Sequence, residues 1–164
     1  MDLIKAACRL KLDILSLSFV RTVADVESAR AFIAQEGGDH IEVFAKIETA
    51  MALENLSEIL GCVDTINVDR GDLSTDIGIL NLARAQNLIV RTALNAEKKV
   101  FLATQFLKNM EKEPVPLISE LLALHQSLSD GISGIQLSEE TAVGIYPVEC
   151  VRLVFDVLSD FQHH

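Results

Sequence analysis

Two hydrophobic patterns alternate along the chain. Ile14-Leu15-Ser16-Leu17-Ser18-Phe19-Val20 is a short apolar run that reads as a strand. Val23 to Gln35 then carries apolar residues at Val23, Val26, Ala29 and Ile33, the period of a helix. Thr22, with Asp25 three residues on, is a helix start, and Gly37-Gly38 is a stop. The alternation continues with a strand over Ile41 to Glu48, a helix over Met51 to Leu60 ended by Gly61, and a short strand over Thr65 to Val68 running into Arg70-Gly71-Asp72. A helix over Ile79 to Leu94, a strand over Val100 to Thr104 and a short helix over Phe106 to Met110 follow. Pro114 and Pro116 break the chain. Leu117 to Leu128 is helical, Gly131 a turn, Gly134 to Ser138 a strand, and Pro147 to Leu158 the last helix.

About five βα units in series predict a parallel sheet with right-handed crossovers. An open doubly wound sheet and a closed barrel both fit. No glycine-rich phosphate fingerprint follows the first strand, so a dinucleotide fold gains nothing.

Composition narrows the class. The chain has 164 residues, of which 49% are hydrophobic, enough for one domain with a sizeable core. Its net charge of −10 opposes binding to phosphate backbones and excludes nucleic acid as a partner. Cys8, Cys62 and Cys150 are odd in number and widely spaced, which argues against a disulfide framework and for a reducing, cytoplasmic setting. No apolar run reaches the roughly 18 residues of a membrane span. Lys5, Arg9 and Lys11 interrupt the start, so no signal peptide is expected there.

In parallel α/β folds chemistry gathers at the C-terminal ends of the strands. At the second strand end, alternation puts Lys46 and Glu48 on one face, as a rim ion pair or as functional groups. The third end, Asn67 to Leu73, offers Gly71, which admits close backbone approach, and Asp72, a hard-cation ligand by type. A polar turn is the alternative. Thr104 at the fourth end has a hydroxyl for an anionic ligand or for starting the next helix. Ser138-Glu139-Glu140-Thr141 at the fifth is a polar rim. His40 reads as solvated, His125 as surface or partly packed, and His163-His164 as a tag fragment. The cysteines read as buried inert thiols, and the helical carboxylates as solvated faces.

These strand ends share one resemblance. Phe19-Val20-Arg21 with Asp25-Val26, Lys46-Ile47-Glu48, Arg70-Gly71-Asp72-Leu73, Ala103-Thr104-Gln105, and Glu140-Thr141-Ala142 with Gly144, Tyr146 and Pro147 occur in order. Their spacing resembles the catalytic barrel of pyruvate kinase, over nearly the whole chain. The resemblance implies a partial (β/α) barrel of TIM type, strands four to eight of eight. It would form a single incomplete domain over residues 1–164, without the inserted lid or the first three strands. It also implies roles. Lys46 assists proton and phosphoryl transfer. Glu48 and Asp72 hold Mg²⁺ or Mn²⁺. Gly71, Asp72 and Thr104 hold the carboxylate end of phosphoenolpyruvate, pyruvate or a related 2-oxoacid. Ser18 lies near the monovalent-cation region, although the K⁺ ligands are largely missing.

Departures accompany the match. Asp69 stands where the family usually has alanine, Ser74 and Glu139 replace glycines, and Thr49 replaces an asparagine. Pro116-Leu117-Ile118-Ser119-Glu120 loses the family's threonine and arginine. Three functions follow as expectations: a magnesium-dependent part of pyruvate kinase, an inactive relative that keeps the scaffold, or a metal-dependent 2-oxoacid lyase or aldolase. An open half-barrel would leave strand edges and interior residues uncovered, so self-association, or a chain supplying the missing strands, is expected.

Overall fold

The computed structural model describes residues 2–163, so His164 lies outside the described residues. Two compact units divide the chain, one ending at Val100 and the other beginning at Phe101.

The first unit opens with helix α1 (Asp2–Arg9), strand β1 (Ile14–Leu17) and helix α2 (Val23–Gln35). Strand β2 (Glu42–Ile47), helices α3 (Ala50–Glu54) and α4 (Leu56–Cys62), and strand β3 (Thr65–Asp69) follow. Helices α5 (Arg70–Ile77) and α6 (Ile79–Asn95) lead to strand β4 (Lys99–Ala103), which runs across the unit boundary. β1 pairs parallel with β2 (Leu15 opposite Val43), and β2 parallel with β3 (Lys46 opposite Asn67). All five residues of β3 are buried, as expected of a parallel strand covered on both faces. Val43, Ala45, Ile47, Ile66 and Val68 build this core with Ile33, Ile59, Leu73 and Ile89 from the helices.

In the second unit a 3₁₀ turn (Lys108–Glu111) precedes helix α7 (Ile118–Ser129), strand β5 (Gly134–Gln136), and helices α8 (Glu139–Ala142) and α9 (Pro147–His163). β4 pairs parallel with β5, Leu102 opposite Ile135. Strand, helix and strand thus recur in the order of a partial (β/α) barrel domain, and each pairing within either unit is parallel.

Local signals set several boundaries. Asp25 Oδ2 accepts the N–H groups of Arg21 and Thr22, each at 2.9 Å, so α2 starts where its sequence says it should. At its other end Gly37 takes φ +74°, and the Gly38 N–H returns to the Ile33 carbonyl at 2.9 Å.

Elsewhere the structure differs from the pattern. The helix expected over Met51 to Leu60 is two helices that meet at Asn55. There the side-chain amide donates to the carbonyls of Met51 (3.1 Å) and Arg21 (3.0 Å), competing with the helical ladder. Gly61 lies inside α4 rather than ending it. Arg70-Gly71-Asp72 is not a turn but the first turn of α5, because the Asp69 side chain caps it. The helix expected from Phe106 becomes the later 3₁₀ turn, since the N–H groups of Phe106 and Leu107 go to Glu140. The last helix runs past Leu158 to His163, where Phe161 meets the His125 ring edge-on at 5.3 Å. The first strand stops at Leu17, and α1 and α8 carried no expectation of helix.

Among the described residues no helix is long and apolar enough to cross a membrane.

Candidate active site

Lys46 is the hub of the polar residues in the first unit. It sits next to last in β2, whose other interior positions are apolar. Its Nζ lies 2.5 Å from Glu48 Oε1 and 3.1 Å from Asp69 Oδ2. It also donates to Ser18 Oγ at 3.4 Å. Parallel pairing explains the convergence. Lys46 stands opposite Asn67, so Asp69, two residues further along β3, falls level with Glu48 just beyond the end of β2.

Glu48 is 1% exposed, and its Oε2 accepts the Phe19 N–H at 2.5 Å. Phe19 holds φ +55° in the turn after β1, and that turn carries Ser18. Burying a carboxylate is costly unless it is paired and hydrogen-bonded, and Glu48 is both. Burial acts to lower the pKa of Lys46. The hydrogen bonds to Glu48 and Asp69 outweigh it and hold the ammonium above the ordinary lysine range.

Asp69 is 7% exposed and does two jobs. Its Oδ2 meets Lys46, and its Oδ1 accepts the Asp72 N–H at 3.4 Å. Asp72 is exposed in the first turn of α5, one turn beyond the strand end at which the sequence suggested it. One carboxylate oxygen from each of Glu48, Asp69 and Asp72 lies within 4.8 Å of the others. Three hard oxygen donors at this spacing suit Mg²⁺ or Mn²⁺ by type.

The structure therefore brings Lys46, Glu48, Asp72 and Ser18 to one place, with Gly71 in the same helical turn as Asp72. Asp69 belongs to that cluster as well, whereas the sequence marked it only as a departure. An aspartate three residues before another, at the end of an apolar run, is a capping signal that would have found it.

Thr104 lies in the second unit. It follows β4 at φ +71°, with Gln105 at φ +54°, and its Oγ1 donates to the Ala103 carbonyl at 2.7 Å. Glu140 follows in the same unit as a fully buried carboxylate, not the solvated rim residue its neighbours suggest. Its Oε1 accepts from Phe106 and Leu107, and its Oε2 from Ser138 at 2.8 Å.

The remaining candidates are structural. Cys8 and Cys150 are buried, whereas Cys62 is half-buried. Burial pushes the thiols of Cys62 and Cys150 up and keeps them protonated. An open cavity of about 570 Å³, lined by Thr141, Pro147, Val148, Val151, Arg152 and Phe155, offers no carboxylate and one cation. It is an apolar surface groove rather than a place for chemistry.

The family profile described as the pyruvate kinase barrel domain matches residues 1–151. The pyruvate kinase of Thermococcus litoralis is 37% identical over 99% of this chain and 34% of its own length. That of Clostridium acetobutylicum is 32% identical over 95% of this chain and 33% of its own. That of Encephalitozoon cuniculi is 33% identical over 93% and 35%. The chain thus spans about a third of the length of these curated relatives. By its strand order, its cluster of strand-end residues and these matches, the chain belongs to the pyruvate kinase family through that family's barrel domain.

Proposed function

We propose that the chain corresponds to the portion of a pyruvate kinase barrel formed by strands four to eight. In this reading it carries the divalent-cation and phosphoenolpyruvate/pyruvate half of a site for phosphoryl transfer to and from ADP. The carrying observation is the approach of carboxylate oxygens from Glu48 and Asp72, with Asp69, to within 4.8 Å beside the Lys46 ammonium.

Glu48 and Asp72 would hold Mg²⁺ or Mn²⁺, and such a cation neutralises charge developing on an enolate or phosphoryl oxygen. Glu48 is preorganised for this because the Phe19 N–H already orients its second oxygen. Lys46 would deliver or receive the proton at the substrate's methylene carbon, from a position locked by Glu48. Gly71 and Asp72 would present first-turn N–H groups to the substrate carboxylate. Thr104 and the monovalent-cation role of Ser18 rest on the family motif alone. A second reading, an inactive scaffold, is favoured by one observation: Lys46 is already held by two carboxylates.

Manganese titration followed by electron paramagnetic resonance tests the cation reading. The parent is expected to bind Mn²⁺, with Glu48→Gln and Asp72→Asn each weakening it about tenfold or more. Equal binding by parent and variants would make the cluster structural only.

A further inference from the structure

The proposed site holds an internal competitor for its own anionic substrate. An ammonium has three N–H donors and no acceptor. In Lys46 all three are directed to partners: Glu48 at 2.5 Å, Asp69 at 3.1 Å and Ser18 at 3.4 Å. An incoming oxyanion must displace one of them. Asp69 also engages the Asp72 N–H at 3.4 Å, a first-turn amide that an anion at this helix start would use. One buried carboxylate thus occupies two of the donors an oxyanion needs. Charge acts in the same direction. The Lys46 ammonium is paired with two carboxylates, Glu48 and Asp69, and an oxygen of a third, Asp72, lies within 4.8 Å of theirs.

We propose that Asp69 is a specificity-determining residue of this site: its carboxylate stands in for a substrate oxyanion at Lys46 and at the start of α5, and so weakens the hold of the site on a 2-oxoacid or phosphate ester. The inference rests on the site proposed above and deepens it. Glu48 and Ser18 anchor the ammonium, and Asp69 is the partner whose removal frees a donor without disturbing that anchor.

Oxalate, a small dianion resembling an enolised 2-oxoacid, is the probe. It is titrated by calorimetry into the parent, Asp69→Ala, Asp69→Asn and Asp69→Ala/Lys46→Met, each with and without Mn²⁺. Asp69→Ala is expected to bind oxalate about tenfold more tightly than the parent, Asp69→Asn to show a smaller gain, and Lys46→Met to erase it. Asp69→Asn retains an acceptor for the Asp72 N–H, so it carries the test if the alanine variant does not fold. Unchanged oxalate affinity in a folded Asp69 variant overturns the inference, as does a gain that survives Lys46→Met. A parent that takes up no Mn²⁺ counts against the cation site, while the metal-free oxalate comparison still decides the role of Asp69.

Discussion

Oε1 of Glu140 lies 3.1 Å from the backbone nitrogen of Phe106, which stands 34 positions earlier in the chain. The same oxygen takes the Leu107 N–H at 3.1 Å, and Oε2 takes that of Ser138 at 2.8 Å. A single carboxylate thus ties the segment after β4 to the segment before α8. It does so immediately after Thr104 and Gln105, two non-glycine residues at positive φ. Removing the acceptor leaves three N–H groups without it. Glu140→Ala is expected to cost about 3 kcal/mol or more, and Glu140→Gln less, because the amide oxygen still accepts. Urea unfolding measures both, and a loss below about 1 kcal/mol for the alanine variant would remove the clamp from the account.

The same carboxylate predicts a pH dependence. Burial acts to raise the pKa of Glu140, but the N–H donors of Ser138, its own backbone, Leu107 and Phe106 outweigh burial and lower it from 4.5. A group depressed on folding stabilises above its unfolded value, and that stability is lost as pH falls through the folded value. Urea midpoints are therefore expected to drop, as pH falls below 4.5, more steeply in the parent than in Glu140→Gln. Parallel profiles for the two proteins would refute this.

Lys46 has the opposite sign. Its pKa is raised on folding, so its contribution is complete below the ordinary lysine value and is lost as pH rises through the folded one. Lys46→Met leaves Glu48, 1% exposed, without its counter-ion. The expected cost is about 3 kcal/mol or more at neutral pH. Denaturation that is unchanged in this variant would show that the Phe19 N–H alone suffices for Glu48.

Association is expected as well. Val143, Ile145, Val148, Val151 and Phe155 are all exposed in the second unit, Val143 and Phe155 at 74% and 70%. Apolar surface of this extent marks an interaction site. Sedimentation velocity is expected to show a concentration-dependent species larger than the 18.0 kDa chain. One monomeric boundary throughout the micromolar range would count against it.

Helix α2 was legible from end to end. Its period, its Thr22-Asp25 start and its glycine stop are interactions among residues at most a few positions apart, and such interactions survive in a bare sequence. The strand cores of β2 and β3 were legible for the same reason, as were Lys46 and Glu48, whose alternation places both at one strand end. The split of α3 from α4 at Asn55 was not, because one of the partners holding that side chain is Arg21, 34 positions away. Nor was the burial of Glu140, whose donors at Phe106 and Leu107 are as distant in sequence. Asp69 shows the difference most directly. Its capping of α5 is local and could be read from the spacing to Asp72, whereas its ion pair with Lys46 exists only because parallel pairing of β2 with β3 sets Lys46 opposite Asn67. A carboxylate's charge and reach are properties of the residue. Which cation it meets depends on strand register, and register is settled by burial of the whole sheet rather than by any local run of residues.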